Sequence, residues 1–258
     1  TRYKALLHYA GANFVPPGSR IVTGIPLHIF GSQRAQHQIS DVFRKALKAP
    51  AVAVLPQGFG ALCLAISTNS ALAQGRVALV DIGSRTTELI CFSDGQYLNH
   101  ESAGVVLGVG QVYTQVAQKL SSQHQRQIDA YEVDWALRED KPIKIKGGVV
   151  ERQALEALVQ HYVRPLATRL HNEMTRLWKE GAPGIDHLLY CGGGSALLAS
   201  YLGHFRDDYT ILPESQFTNA AGYLEYIRLT STDQTRAQDQ GAEDTPQADA
   251  SAQKTSHA

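Results

Sequence analysis

The stretch of the sequence most suggestive of chemistry is VALVDIGSRTTELICF, which runs from Val77 to Phe92. A β-favouring apolar run ends at Asp81, small hydroxyl residues follow a glycine, and a second apolar run comes next. A carboxylate at a strand end suits magnesium held through its waters, and turn hydroxyls can donate to phosphate oxygens. A plain β-turn in which Asp81 accepts backbone amides explains the same residues at least as well. The stretch alone therefore leaves a phosphate site and a structural hairpin open.

A second suggestive stretch is LLYCGGGSALLASYL, in which a buried strand meets Gly192, Gly193 and Gly194. Three glycines remove every Cβ from a loop at the carboxyl end of a strand, where α/β sheets bind ligands. The next helix is expected to begin after Ser195, an N-cap residue type, with its amides facing a nucleotide. A tight strand-to-helix turn needs one glycine, occasionally two. Three glycines therefore favour close approach of a ligand over a purely structural turn.

Several common catalytic motifs are missing from the sequence. The Walker pattern G-x-x-x-x-G-K-[ST] and the nucleophile elbow G-x-S-x-G do not occur, and no two histidines are spaced as H-x-x-x-H. The segment GVGQVY, from Gly108, lacks the third glycine of a dinucleotide fingerprint. Walker NTPases, serine hydrolases and zinc peptidases are therefore not indicated.

An α/β alternation must position the two loops. The sequence predicts, in order, an opening helix, a strand in RIVTGIPLHIF, a helix over 33–48, and a strand, turn and helix in AVAVLPQGFGALCLAI. The Asp81 hairpin follows, then a glycine-rich loop that opens a helix near Val105, and a polar region over 121–148 that reads as an inserted subdomain. A long amphipathic helix over 150–180 should be kinked or divided by Pro165. The strand HLLYC and a final helix, NAAGYLEYIRL, complete the series.

The composition indicates a globular protein with a substantial core. The chain has 258 residues and 43% hydrophobic content, with 24 basic and 24 acidic residues and a formal net charge of zero. Zero net charge argues against wholesale nucleic-acid binding. No apolar run approaches the roughly 18 residues of a membrane span, and no signal peptide is recognisable, so a cytoplasmic location and no membrane partner are expected.

The cysteines and the last residues have simple structural interpretations. Cys63, Cys91 and Cys191 are dispersed within apolar runs, which is typical of buried reduced thiols rather than a disulfide frame or a zinc site. Residues 230–258 contain no Leu, Ile, Val or aromatic residue and carry five acids against two bases. Such a segment is predicted to be disordered.

The order of the motifs resembles that of actin-like ATPases, most closely the ParM/StbA plasmid-segregation family and more distantly MreB. The segments IVTGIPLHIF, VLPQGFGAL, VDIGSRTTEL and LYCGGGSALL are similar to four motifs of that family, and the resemblance covers about residues 1–229. It implies an α/β fold of the actin-like (ribonuclease H-like) type, ATP or GTP with magnesium as cofactors, and a second phosphate hairpin at Asp81.

The resemblance also implies roles for individual residues. Asp81 would hold magnesium through water, and Gln57 would orient the attacking water, with catalysis from positioning and charge stabilisation. The phosphate contacts implied are Gly83, Ser84, Thr86 and Thr87, and the residues implied beside the adenosine are Gly192, Gly193 and Gly194, with Ser195 capping the next helix. Glu151 and Arg152 are further candidates for contacts to the ribose or base.

Three departures from the family pattern bear on activity. The first phosphate hairpin has no counterpart, so the chain is expected to be an N-terminal truncation that is inactive by itself. Gln57 stands where the family often has Glu, and a neutral amide can orient water but cannot accept its proton, which implies slow hydrolysis. Ser84 and Arg85 replace glycines; Arg85 either adds positive charge for the phosphates or points to solvent, and solvent is favoured.

The resemblance implies a division of the chain and a function. Residues 1–75 would be the remainder of domain I, 76–214 domain II, 215–229 a helix returning to domain I, and 230–258 the disordered tail. The implied function is a filament-forming ATPase for plasmid or mobile-element segregation, coupled to DNA by an adaptor protein without direct nucleic-acid contact. A small-molecule kinase or phosphatase of the same fold, and a non-hydrolysing scaffold relative, remain open. A kinase needs a catalytic Asp aimed at a substrate hydroxyl, and no convincing one is found.

Overall fold

Helices make up about half of the chain in the computed structural model, which describes residues 2–242 and the surroundings of side chains 4–230. The helices are α1 (Arg2–Asn13), α2 (Leu27–Phe30), α3 (Gln33–Leu47), α4 (Phe59–Thr68), α5 (Gly110–His124), α6 (Ala130–Arg138), α7 (Arg152–Trp178), α8 (Ser195–Leu202) and α9 (Thr218–Ala242). Single 3-10 turns lie at Ser70–Ala73 and Asn99–Glu101. No helix among the described residues is both long and apolar enough to cross a membrane.

The strands form one large sheet and two small ones. They are β1 (Ile21–Ile25), β2 (Val52–Pro56), β3 (Arg76–Ile82), β4 (Thr87–Ser93), β5 (Gln96–Tyr97), β6 (Ala103–Val105), β7 (Ile143–Ile145), β8 (Gly148–Val150), β9 (His187–Cys191) and β10 (Tyr209–Ile211). The large sheet has the order β10-β9-β3-β4-β5, with β6 also paired to β4. Strands β10, β9 and β3 are parallel, whereas β4 is antiparallel to β3. The smaller sheets are parallel β1-β2 and antiparallel β7-β8.

Strand β3 separates two hydrophobic cores because successive side chains point to opposite faces of a sheet. Ala78, Val80 and Ile82 belong to the core formed with α5 to α8. Val77 and Leu79 belong to a second core formed with α4. Both faces of β3 are therefore covered, which explains why its sequence is an almost unbroken apolar run.

The region predicted as an inserted subdomain, 121–148, shares the core of the large sheet. Asp129 caps α6 by accepting a hydrogen bond from the Glu132 amide at 2.8 Å. Ile128, Val133 and Ile143 are buried in the same cluster as β3 and α7. The region therefore supplies core residues as well as polar surface.

Two helices differ from their predicted extents. Helix α7 is one helix from Arg152 to Trp178 with Pro165 inside it, so the proline does not divide it. The buried side chains on both sides of Pro165 pack into one core, which offsets the backbone hydrogen bond that proline removes. Helix α9 continues past the predicted end at Leu229 to Ala242, and residues 230–242 are therefore helical rather than disordered. Those residues contain no proline, and six of the thirteen are helix-forming Ala, Gln or Arg. The rest of the predicted tail, 243–258, lies outside the described residues.

The predicted state of the cysteines is confirmed. Cys63, Cys91 and Cys191 are free and buried. Their positions in α4, β4 and β9 follow from the apolar runs in which they occur.

Candidate functional site

Asp81 lies at the carboxyl edge of the large sheet. Because side chains alternate along β3, Asp81 lies on the same face as Val77 and Leu79, towards α4. Only 4% of Asp81 is exposed. Because β3 and β9 are parallel, with Asp81 beside Cys191, the ends of both strands meet at this edge. The edge is where sheets of this kind bind ligands.

Hydrogen-bond donors surround the Asp81 carboxylate. The Nδ2 group of Asn219, in α9, donates to Oδ2 at 2.7 Å. Burial raises the pKa of Asp81, while hydrogen bonding from Asn219, Cys191 and Gln57 opposes that rise. The Asp81 carboxylate is therefore desolvated and accepts hydrogen bonds from neutral donor groups.

Gln57 is brought next to Asp81 by the turn between β2 and α4. Its backbone amide donates to the Ile25 carbonyl at 2.8 Å, which continues the pairing of β1 with β2. Gly58 follows in the left-handed conformation, with φ of 91°, and is the N-cap position of α4. The structure thus brings together the two residues predicted to act on the attacking water and the metal.

The hairpin turn after Asp81 divides its predicted phosphate contacts into two groups. The Gly83 amide donates to the Thr86 carbonyl at 2.9 Å and closes the turn, which leaves Ser84 exposed at its tip. Thr87 is fully buried, and its hydroxyl donates to the Leu107 carbonyl at 2.6 Å. Ser84 is therefore available to a ligand, whereas the structure does not bring the Thr87 hydroxyl to the surface.

The hairpin turn rests on the start of α5. The amides of Val109 and Gly110 donate to the carbonyls of Gly83 and Ser84 at 3.1 and 2.8 Å. A Cβ on Gly108 would lie 2.5 Å from the Ser84 carbonyl oxygen, which no side chain tolerates. The glycines of GVGQVY, which the sequence alone could not interpret, therefore allow this helix to support the turn.

The three glycines after β9 have different roles. Gly192 has a φ of 84°, and a Cβ on it would lie 2.4 Å from the Ile82 carbonyl oxygen. The Gly194 amide donates to that same oxygen at 2.8 Å. A Cβ on Gly193 would meet only the side chain of Gln216, at 3.7 Å or more. Two glycines are thus required by packing against β3, and Gly193 is the one that faces open space.

Ser195 does not cap α8 as predicted. The helix begins at Ser195 itself, with Gly194 at the N-cap position and no side-chain capping hydrogen bond. The Ser195 side chain is fully buried, and its Oγ has no hydrogen-bond partner among the described residues. The helix begins one residue earlier than predicted, so Ser195 occupies its first position. Its side chain points into the core and does not cap the helix.

A cavity of about 450 Å³ lies between the hairpin turn, the glycine loop and the helices α5 and α6. Ser84, Gly193 and Gln216 line it at the sheet edge. The remaining polar and aromatic lining residues are Tyr113, Tyr131, Asp134 and Arg138. Asp134 and Arg138 form an ion pair at 2.8 Å, and Tyr131 is 69% exposed. Sequence analysis did not predict these α6 residues as part of a site, because their region lacks clear periodicity.

Three charged residues considered from the sequence are not among those that line this cavity. Arg152 pairs with Asp140 at 2.9 Å and with Glu156 at 2.7 Å, and Glu151 is exposed at the start of α7. Neither Glu151 nor Arg152 lines the cavity. Arg85 is exposed at the hairpin turn, in line with the interpretation that it points to solvent.

Glu88 is a second buried carboxylate, which the sequence interpretation missed. It pairs directly with Asp81 across β3 and β4, so both side chains lie on the same face. Its Oε2 accepts the Leu27 amide at 3.3 Å, and Oε1 lacks a hydrogen-bond partner within residues 4–230. Burial raises the pKa of Glu88, and the charge of Asp81 raises it further. The length of the hairpin turn could have identified Glu88, because a four-residue turn places it opposite Asp81.

The donor chemistry of this edge fits magnesium only together with a ligand that brings oxygens of its own. Asp81 is a hard oxygen donor next to Gly192, and Ser84 and the open Gly193 line the cavity at the same sheet edge. No group of three or more His, Cys, Asp or Glu in the described part of the chain could hold a metal ion. Phosphate oxygens and water would therefore have to complete the coordination shell.

The chain has an actin-like fold, as comparison with known proteins shows. A family model described as Archaeal actin homologue MreB-like, C-terminal, matches residues 79–204, from β3 through α8. No curated protein matches the chain in sequence. The resemblance to actin-like proteins of the ParM and MreB type, predicted from the motif order, is confirmed at the level of the fold.

Solved structures of three actin homologues show the extent of the likeness. A 15-stranded ParM filament from Clostridium botulinum is 21% identical with a TM-score of 0.70, over 87% of this chain and 72% of that chain. MreB 5 of Spiroplasma citri bound to AMPPNP is 14% identical with a TM-score of 0.70, over 91% and 77%. An archaeal actin homolog in complex with ADP is 22% identical with a TM-score of 0.65, over 81% and 71%. At these identities the likeness establishes the fold.

Proposed function

We propose that this chain is a nucleotide-binding actin-like protein that assembles into filaments and segregates plasmid or other mobile DNA, with hydrolysis controlling filament stability. The observation that supports the proposal most is a convergence at one sheet edge. Ser84 and Gly193 line the same cavity, and Asp81 lies near the end of β3, paired with Cys191 at the end of β9. A phosphate chain at the turn and a nucleoside in the cavity would use both parts of this edge.

Different residues of this sheet edge would contact the nucleoside, the phosphates and the magnesium ion of a bound nucleotide. Tyr131, Asp134 and Arg138 would contact the nucleoside, because the aromatic ring can stack and the ion pair can hydrogen-bond hydroxyls. Ser84 would donate to phosphate, and Asp81 would hold the waters of a magnesium ion. That ion would supply neutralisation of the developing phosphate charge.

Gln57 would orient the attacking water. Its neutral amide cannot accept the proton of that water, so the protein is expected to hydrolyse nucleotide slowly. Slow hydrolysis suits a polymer in which the age of each subunit sets its stability.

The comparisons favour adenine nucleotides and self-association. One neighbour is titled as bound to AMPPNP, another as a complex with ADP, and a third as a ParM filament. We therefore expect ATP rather than GTP, with magnesium, and a second copy of this chain as the main partner. Because the formal net charge is zero, a DNA-bound adaptor protein rather than the filament itself would contact DNA, in the cytoplasm and without a membrane partner.

The proposal is tested by assembly and nucleotide binding. With magnesium and ATP, the intact gene product at micromolar concentration should scatter light and pellet, and Asp81→Asn should raise the ATP concentration required by at least about tenfold, or ~1.4 kcal/mol. Asp207→Asn, at an exposed loop position, should behave like the wild type. Absence of assembly in the wild type, together with unchanged nucleotide binding in Asp81→Asn, would refute the proposal. ATP turnover that depends on an added sugar would instead support a kinase.

A further inference from the structure

The side chain of Asn219, in the first turn of α9, connects two segments of the site. Its Oδ1 accepts hydrogen bonds from the amides of Gly58 and Ala61, at 3.0 and 3.2 Å. Its Nδ2 donates to Asp81 Oδ2 at 2.7 Å. Two backbone N–H donors can face only the oxygen of the amide, so the orientation of the side chain is fixed and its NH2 group must point to Asp81.

We propose that Asn219 is a positioning residue for the nucleotide site, which fixes the Asp81 carboxylate and ties it to the turn that carries Gln57. The inference rests on the proposed function, because it assigns Asn219 a role in the use of magnesium by that site. Gly58 directly follows Gln57 and has no side chain with which to cap α4. Asn219 supplies that cap from a position 161 residues away in the sequence.

The packing of α9 leaves Asn219 little freedom. The ring of Tyr223, one turn later, fills the space beside Gly24 and Gly60, where a Cβ would lie 1.9 and 2.8 Å from its atoms. A Cβ on Gly222 would lie 1.6 Å from the Gly60 carbonyl oxygen, so the backbones of α4 and α9 are in contact. A helix seated this closely cannot shift without moving Asn219.

Asp81 is bracketed from its other side. A Cβ on Gly192 would lie 2.5 Å from Asp81 Oδ1, so the missing side chain of Gly192 makes room for this oxygen. With Oδ2 on Asn219 and Oδ1 beside the glycine loop, the carboxylate has one defined orientation. Loss of the Asn219 donor would release this orientation and would leave the nucleoside cavity untouched.

The test compares nucleotide binding with and without magnesium. Asn219→Asp keeps an oxygen for the Gly58 and Ala61 amides but removes the donor to Asp81. A fluorescent ATP analogue is titrated into wild type and variant, in magnesium and in excess EDTA. We expect the ratio of Kd in EDTA to Kd in magnesium to fall at least about tenfold in Asn219→Asp, with Kd in EDTA nearly unchanged. Asn172→Asp, at an exposed position of α7, is the matched control.

Two further variants separate positioning from folding. Asn219→Ser removes the donor to Asp81 without adding a charge, so it should show the same loss if Asn219→Asp does not fold. In the double variant that combines Asp81→Asn with Asn219→Asp, the side-chain hydrogen bond can form with the donor at position 81 and the acceptor at position 219. It should recover the thermal stability without recovering the magnesium dependence.

The outcomes distinguish this inference from the function on which it rests. If the ratio of Kd in EDTA to Kd in magnesium is the same in Asn219→Asp as in the wild type, only the positioning role is overturned. Tighter magnesium-dependent binding in this variant would also overturn it, since the new carboxylate would then act as a magnesium ligand. A wild-type protein that binds no nucleotide would overturn the proposed function, and this inference with it.

Discussion

Glu88 illustrates how one buried residue can make the whole protein sensitive to pH. Burial raises its pKa above the ordinary value of 4.5, and the facing carboxylate of Asp81 acts in the same direction. Below pH 4.5 the side chain is protonated in both folded and unfolded chains. As pH rises, the unfolded chain releases the proton first, so the free energy of unfolding decreases until the folded pKa is passed.

Glu88→Gln should therefore stabilise the protein at neutral pH. Glutamine keeps an oxygen for the Leu27 amide but carries no charge to desolvate, and it removes the repulsion on Asp81. Melting temperatures of variant and wild type, without nucleotide or metal, should diverge from pH 5 to pH 8 and converge towards acid. Glu139→Gln, at an exposed site after α6, should show no such divergence. A constant difference at every pH would contradict this explanation.

At the scale of elements, the crossing of α4 and α9 depends on two glycines. Gly60 and Gly222 face each other so closely that their backbones touch, and the rings of Phe59 and Tyr226 pack beside them at 6.0 Å. The crossing also positions the turn of Gln57 and the start of α9. Helix packing and the candidate site are therefore set by the same contact.

Gly222→Ala should separate the two helices and destabilise the protein. A methyl group there would lie 1.6 Å from the Gly60 carbonyl oxygen, and overpacking of this kind costs about 1–3 kcal/mol or more. Urea denaturation measures the loss. Gly31→Ala is the matched control, because its Cβ would meet nothing within 4 Å, and it should stay within about 0.5 kcal/mol of the wild type. Equal stability of both variants would show that the helices can move apart freely.

At the scale of the whole molecule, protection from solvent is unevenly distributed between the sheets. Strands β3 and β4 are buried along nearly their whole lengths, with cores on both faces. Strands β1 and β2 are mostly half-buried and, in the described residues, pair only with each other. The large sheet should therefore open only with global unfolding, and the small one more easily.

Hydrogen exchange measures this difference. The amides of Leu79 and Leu89 should be among the slowest to exchange, whereas those of Val22 and Ala53 should exchange at least about a hundredfold faster through local opening. Nucleotide binding should slow amide hydrogen exchange at the sheet edge that forms the site more than in the middle of β3. Equal protection of both sheets would mean that the molecule unfolds as a single unit.

The sequence predicted the features of this molecule that are local. The apolar runs and turn residues predicted the hairpin at Asp81, the strand before the glycines and the order of the longer helices and strands. Within residues 121–148 they did not predict α6, β7 or β8. Contacts between distant segments left no local signal, and the hydrogen bond from Asn219 to Asp81 spans 138 residues. The α6 lining of the cavity was missed because the region around it lacks clear periodicity. The different roles of the three glycines depend on their contacts with β3, which the sequence does not show.

The three buried thiols have a practical consequence for experiments. Burial raises the pKa of Cys63 and of Cys91 to about 11, and raises that of Cys191 above its ordinary value. Because the thiolate is the form that reacts with maleimides, all three should resist modification in the native protein. A fluorophore could therefore be attached to a cysteine introduced at an exposed position such as Ser200, with the native thiols left in place. The proposed filament assembly could then be followed by microscopy on an otherwise unaltered chain.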